Sequence, residues 1–256
     1  MSLQLGSALK GGAERLASRT GVVVLTVYAA VMLVYQLSVN TLLQSLLTSL
    51  VPAGADRVAS PALVTLPLPN VVAGVLVVVT LLAATVVSVV AVRTFVARER
   101  ERIPRRFLTD RMLFVVANLV VGGIAFGLIV LVGTILLVVP GIVAYVGLLF
   151  MVQFVAVEKV NFVTAMRRSW RLTRGSRIRI FLLVLVLFAA TLVVTFVVNF
   201  GLGLAVGSGS AGLGVGLVNV LLTLYLLAVT CDAFVQLRDD DRSPTGTQPT
   251  ADAVGT

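Results

Sequence analysis

The sequence predicts an all-α fold, a polytopic integral membrane protein with six transmembrane helices and an interfacial amphipathic helix between spans 4 and 5. Three observations predict it. Of 256 residues, 59% are hydrophobic and only 12% charged, half the ~25% charge of a soluble domain, which leaves too little polar surface to face water all round. Six apolar stretches carry no charged residue at all. Nineteen of the twenty lysines and arginines fall in alternate connections between those stretches.

The stretches are 21–37, 71–92, 112–139, 142–157, 180–200 and 211–231. A helix needs ~20 apolar residues to cross ~30 Å of hydrocarbon. Valine is abundant in them, yet extended strands without a closed barrel would leave backbone groups unpaired in lipid, so helix is the expected state. The first stretch follows a leader of about twenty residues with no prompt small-residue cleavage site, so it is expected to be a span and not a cleaved signal. Beyond it, Leu42, Leu43, Leu46, Leu47, Leu50 and Val51 recur at helical spacing, with Gln44, Ser45, Thr48 and Ser49 opposite. This predicts an amphipathic extension of the first helix. The segment 52–70 holds four prolines and is expected to be irregular, 201–210 is expected to be a mobile glycine-rich loop, and 239–256 a disordered tail.

The fourth stretch is short: sixteen residues reach only ~24 Å. The charges arbitrate. If all six stretches span, only Arg57 among the twenty basic residues lies on the outer side; if the fourth does not cross, the split is ten to ten. The positive-inside bias therefore predicts six spans in the cell membrane with both termini cytoplasmic. Pro140 and Gly141 are then expected to form the tight outer turn between spans three and four. The membrane domain so defined covers 1–238.

The net charge of +9 would fit nucleic acid or an anionic membrane. Its arrangement in one plane excludes nucleic acid and favours anionic headgroups. From Phe162 to Arg174, a helical wheel puts Arg167, Arg168, Arg171 and Arg174 in one arc and Phe162, Ala165, Met166 and Leu172 opposite. Asn161 is positioned to cap the start and Gly175 the end. Trp170 at the boundary is the expected aromatic anchor of a helix lying in the interface. The arginines and Trp170 are the candidate lipid- or partner-binding residues.

Glu158 is expected to pair with one of these arginines or with Lys159. Asp232 lies inside the inner end of the sixth span, where an acid is a functional candidate by default; Arg93 on span two is its expected partner. Asn118, Gln153 and Asn219 suit interhelical hydrogen bonds. Gly123 and Gly127, like Gly212 and Gly216, match the GxxxG spacing of close helix packing, read here as packing within the chain. The GxGxxG match at 207–212 lacks the strand and βαβ unit of a dinucleotide site and reads as loop.

There is no histidine, and Cys231 is the only cysteine. The commonest general base and metal ligand are missing, and no thiolate cluster can form. No catalytic, cofactor or metal site is expected.

The stretch Thr134–Arg179 carries Pro140 and Gly141, an aromatic-containing span, Glu158, then Ala165 to Trp170 and Thr173 to Gly175. It resembles the multi-pass membrane domain associated with glycerophosphoryl diester phosphodiesterases, and related membrane families of unknown function, including archaeal ones. In that family the hydrolysis belongs to a separate soluble barrel, and after the last span this chain has only its short tail. The resemblance therefore implies a membrane module, non-enzymatic, structural or lipid- and partner-binding. The competing expectations are a small-solute or ion transporter or channel with a path near Asp232 and the span asparagines, and an accessory membrane subunit of lipid or glycerophosphodiester metabolism.

Overall fold

The computed structural model describes residues 5–50, 64–206 and 208–242, and every regular element among them is an α-helix. In order these are α1 (Leu5–Leu16), α2 (Arg19–Leu50), α3 (Asn70–Ala97), α4 (Arg105–Thr109), α5 (Met112–Leu136), α6 (Val138–Leu148), α7 (Met151–Glu158), α8 (Phe162–Leu172), α9 (Arg177–Val206) and α10 (Ser208–Arg242). Six of the resulting segments are long and apolar enough to cross a membrane: Arg19–Leu50, Asn70–Ala97, Met112–Leu136, Val138–Glu158, Arg177–Leu202 and Gly214–Asp239. Their outward faces are aliphatic, with Val75, Val78, Ile124, Leu131, Val193 and Val197 all exposed. The chain is a multi-pass membrane protein.

α2 and α3 pack as an antiparallel hairpin. At one end Thr20 Oγ1 donates to Glu99 O (2.7 Å). At the other, Asn40 Nδ2 donates to Val64 O (3.1 Å), Leu66 N–H to Thr41 Oγ1 (2.9 Å), and Asn70 Nδ2 to Ser45 Oγ (2.6 Å). The extension of the first helix is thus a continuation of α2 to Leu50, and Asn40, Thr41 and Ser45 on it hold the strap of residues 64–70. Most of the proline-rich segment, 51–63, lies outside the described residues.

The reversal between α5 and α6 is not at Pro140 and Gly141. It sits three residues earlier, at Leu137, which is extended (φ −160°, ψ 137°). The proline sets the position from a distance. In a continuous helix Pro140 would lack its bond to the carbonyl of Leu136, and its ring would strike that carbonyl. The helix therefore ends at Leu136, and Pro140 falls in the first turn of α6, where no intrahelical N–H is needed. Gly141 then lies against Gly133 and Thr134; a Cβ there would meet the Thr134 backbone at 2.7 Å. The fourth span consequently begins at Val138 and has 21 residues, about 31 Å at 1.5 Å per residue, so the shortfall of the sixteen-residue reading disappears.

That span is interrupted once. Leu149 and Phe150 form a turn between α6 and α7, with Phe150 at φ −90°, ψ 8°. α8 runs against this break. Other expectations are revised. The segment 201–210 is helical on both sides of residue 207, and only that residue is outside the described set. α10 continues through Asp239 to Arg242, so the helix outlasts the expected end of the membrane domain; residues 243–256 lie outside the described set. Gly123 and Gly127 face open space, while Gly122 meets Phe162 and Met151, so the first GxxxG pair packs nothing within the chain.

Burial is concentrated at one end of the bundle. Phe95, Phe150, Phe154, Ile180, Leu183 and Phe234 are buried there, with Phe154 and Phe234 edge to face at 5.0 Å. α5 buries only Val115, Val116, Leu119 and Gly122, from its first three turns. α9 buries Ile180, Leu183 and Leu187, also from its early turns. All described basic side chains belong to segments gathered at this same end, hereafter the basic end.

α1 was not anticipated as a helix. Its twelve residues cross α10, with Ala8 fully buried, Tyr225 Oη donating to Leu9 O (3.2 Å), and Gly12 directly over Val229. A Cβ on Gly12 would lie 2.5 Å from Val229 Cγ2 and 3.1 Å from its backbone N, so the approach needs glycine. We predict that Gly12→Leu unseats α1 while the six spans persist. Limited proteolysis in detergent should then cut within 5–18 much faster than in the wild type; equal protection would show that α1 does not depend on this contact.

Candidate basic-end site

Four groups of contacts make up the basic end. The first is centred on Asp232. In α10 it is buried (7% exposed), and its partner is Arg15 of α1, paired through Nη2 and Oδ1. Arg15 Nη1 also donates to Phe95 O (2.7 Å), a carbonyl in the last turn of α3. Gln236 Nε2, one turn on, donates to Asp232 Oδ2 (2.8 Å). Burial pulls the Arg15 guanidinium below its ordinary range and Asp232 pushes it back up; arginine keeps its charge regardless. The expected Asp232–Arg93 pair does not form.

Arg93 is instead a hub for backbone carbonyls. Its Nε donates to Ala156 O (2.8 Å), Nη1 to Phe107 O (2.8 Å) and Nη2 to Asp110 O (3.1 Å). These oxygens end α7 and α4. A cation donating to helix C-terminal carbonyls satisfies orphan acceptors and complements the dipole. Beside it Lys159, which ends α7 in the left-handed region (φ 54°), pairs with Asp110. That hydrogen bond holds the Asp110 carboxyl below the usual carboxylate range.

Glu158 pairs with Arg168 of α8 and, at 3.3 Å, with Arg238 of α10. The expected arginine partner is therefore present, a second one from α10 was not foreseen, and Lys159 pairs elsewhere.

The last group is α8 on the break of span four. Its buried seam is Ala165, Ser169 and Thr173, each fully buried, four residues apart. The larger Phe162, Met166 and Leu172 flank it, half-buried. Ser169 Oγ donates to Gly147 O (2.8 Å) and accepts from Phe150 N–H (3.1 Å), so one hydroxyl serves both sides of the break. Trp170 lies against Gly147, where any Cβ would meet the indole ring, and Arg177 Cζ sits 4.2 Å over that ring. The N-terminus of α8 is capped twice: Asn161 Oδ1 accepts from Thr164 N–H (2.8 Å) and Asn118 Oδ1 from Phe162 N–H (3.0 Å). Gly175 beyond its end is at φ +122°, as the stop signal requires.

Of the predicted arginine arc, Arg168 is drawn down to Glu158, while Arg167, Arg171 and Arg174 are exposed and pair with no carboxylate among the described residues. Trp170 is 41% exposed, so its ring is shared between Gly147 and the surroundings. Arg15, Asp110, Ser169 and Asn118 are the contributors not singled out for these roles by sequence. Only Asn118 left a signal, as a polar residue on a span.

Once compared with known proteins, residues 3–237 match a family model described as a domain of unknown function (DUF7847). No curated protein and no solved structure matches the chain.

The geometry makes a stability prediction. Asp232→Asn leaves the Arg15 charge buried without its counterion and should cost about 3–5 kcal/mol. Replacing both, as Arg15→Met with Asp232→Leu, should recover most of that loss, since an apolar pair of similar volume avoids the desolvation penalty. Thermal unfolding in detergent micelles reads both; equal stability of the wild type and Asp232→Asn would contradict the buried pair.

Proposed function

The chain belongs to the DUF7847 family, of unknown function, and from that premise we propose that it is a non-enzymatic multi-pass module of the cell membrane whose basic end, on the cytoplasmic side with both termini, holds anionic lipid headgroups. One observation carries the reading: Arg167, Arg171 and Arg174 stand exposed on the face of α8 opposite its buried seam. A helix fixed to the bundle on one side and cationic on the other is suited to lie where acyl chains meet headgroups. Trp170 and its Arg177 neighbour occupy the border between the two faces, where aromatic rings are favoured.

Several further features support it. The described basic residues are collected at one end of the bundle, as the positive-inside bias requires of a cytoplasmic face. The acids Asp110, Glu158 and Asp232 are each engaged by a lysine or arginine, and Arg167, Arg171 and Arg174 of α8 remain among the exposed cations of this end. Thr134–Arg179, the segment with the phosphodiesterase-associated resemblance, coincides with the α6–α8 unit; we assign that unit to lipid contact, without hydrolysis. The transport reading relied on a path near Asp232 and the span asparagines; Arg15 occupies that carboxylate, and Asn118 and Asn219 each donate to a carbonyl of their own helix. An acidic cytoplasmic protein segment is the other partner chemistry that this face fits.

Two outcomes are expected. Reporter fusions at Arg102, Arg171 and Gly246 should be cytoplasmic, and those at Arg57 and Ser208 external; an external Arg171 would reverse the orientation. The triple variant Arg167→Gln, Arg171→Gln, Arg174→Gln should lose affinity for anionic lipid by about a hundredfold, at ~1 kcal/mol per arginine. Native mass spectrometry of protein released from mixed anionic and zwitterionic nanodiscs measures the retained lipid. Unchanged anionic enrichment would reduce the arginines to a role in orientation alone.

A further inference from the structure

Between the spans, clear of the basic-end contacts, lies a cavity of about 340 Å³ bounded by α2, α3, α6, α7, α9 and α10. Its volume falls at the lower end of the ~300–1,000 Å³ of small-molecule sites. The walls are mostly aliphatic, including Leu149, Val184, Leu187 and Leu227. Among them is Gln153 of α7, only 2% exposed.

Gln153 is half satisfied. Its Nε2 donates to Thr230 Oγ1 (3.2 Å), and Thr230 gives its own proton to Leu227 O (3.0 Å). With Thr230 donating to Leu227 O it accepts from Gln153, so the nitrogen faces it and the oxygen faces away. Gln153 Oε1 is buried, and no donor among the described residues reaches it. Leaving a buried acceptor unpaired is costly, and such atoms are rare in native structures. The cavity that this side chain lines is the route by which a donor reaches it, on a small turn of the amide.

The other polar groups say what that partner is. Thr191 and Thr223, which also line the cavity, donate to Leu187 O and Asn219 O of their own helices (both 2.8 Å). Like Gln153 Oε1, these two offer the cavity lone pairs and no protons, whereas the hydroxyls of Tyr28, Ser88 and Tyr145, also in the lining, can donate or accept. The complement is a molecule with a hydroxyl to donate and an apolar body. The entrance says where it comes from. Tyr145 of α6 and Phe188 of α9 line the cavity and are 38% and 59% exposed. The opening is thus on the flank of the bundle between the fourth and fifth spans, facing hydrocarbon.

We propose that this cavity binds a neutral apolar molecule carrying a hydroxyl group, a long-chain alcohol in chemical class, which enters sideways from the lipid and donates to Gln153 Oε1. The alkyl chain lies against Val184, Leu187 and Leu227 and leaves past Tyr145 and Phe188. No bond is made or broken.

The test uses the full chain in nanodiscs, a diazirine-bearing dodecanol as photolabel, and unlabelled dodecanol or dodecane as competitor. Labelling should saturate and map to 145–153 and 184–191. Dodecanol should compete about tenfold more strongly than dodecane, because only the alcohol satisfies the buried acceptor. Gln153→Leu should abolish that preference while leaving the chain able to compete. If Gln153→Leu does not fold, Val184→Phe, which fills the cavity from the opposite wall, should abolish saturable labelling. Labelling that rises linearly with probe over the exposed faces of α5 and α9, equal competition by alkane and alcohol, or an alcohol preference that survives Gln153→Leu would each overturn the proposal.

Discussion

Helix ends that meet away from water must still satisfy their last carbonyls, and the basic end is organised around that requirement. Each helix leaves its final C=O groups without an intrahelical donor. Here α3, α4 and α7 finish close together, and arginines fill the gap: Arg15 on Phe95 O, Arg93 on Ala156 O, Phe107 O and Asp110 O. A guanidinium suits the task because it is planar, always charged and carries several donors in fixed directions. The carboxylates then follow as counterions to groups already placed. On this view the abundance of arginine at one end answers to two demands at once, backbone satisfaction inside and charge toward one face outside.

The rest of the packing radiates from that junction. Phe95, Phe150, Phe154 and Phe234 fill the space beneath it, and the early turns of α5 and α9 lean on it. Further out these two helices expose nearly all of their surface. Helices in lipid have no hydrophobic driving force pulling them together, so contact persists only where polar bonds or shape hold it. The slot on the flank between α6 and α9 is what remains where neither does.

Much of this was legible beforehand, and the reasons are physical. Span number and type follow from length and hydropathy, which lipid enforces without exception. The caps of α8 at Asn161 and Gly175 are local chemistry and were readable at the level of a few residues. Pro140 marks an interruption in the sequence, but a proline acts on the carbonyl four residues before it, and the corner sits at Leu137 and not at Pro140 and Gly141. The wheel puts Phe162, Ala165, Met166 and Leu172 on one side of α8: Ala165 lies in the buried seam and the other three flank it, while the small polar Ser169 and Thr173, which close approach to a helix break selects, complete it. Arg15 with Asp232 was out of reach. α1 is short, rich in small residues and only weakly apolar, and its partner lies 217 positions away. Asp232 was identified as a residue to explain, yet the nearest plausible arginine, Arg93, was already committed to carbonyls.

That separation has a temporal side. A ribosome adds about 5–20 residues per second, so Asp232 is made some 10–40 s after Arg15. Throughout that interval the amino-terminal helix carries a cation that has no acid to meet and a glycine face with no α10 to seat it. The junction can close only when the sixth span has arrived. A segment made early is therefore among the last to settle, and without Asp232 α1 keeps an unseated glycine face and a cation lacking its counterion.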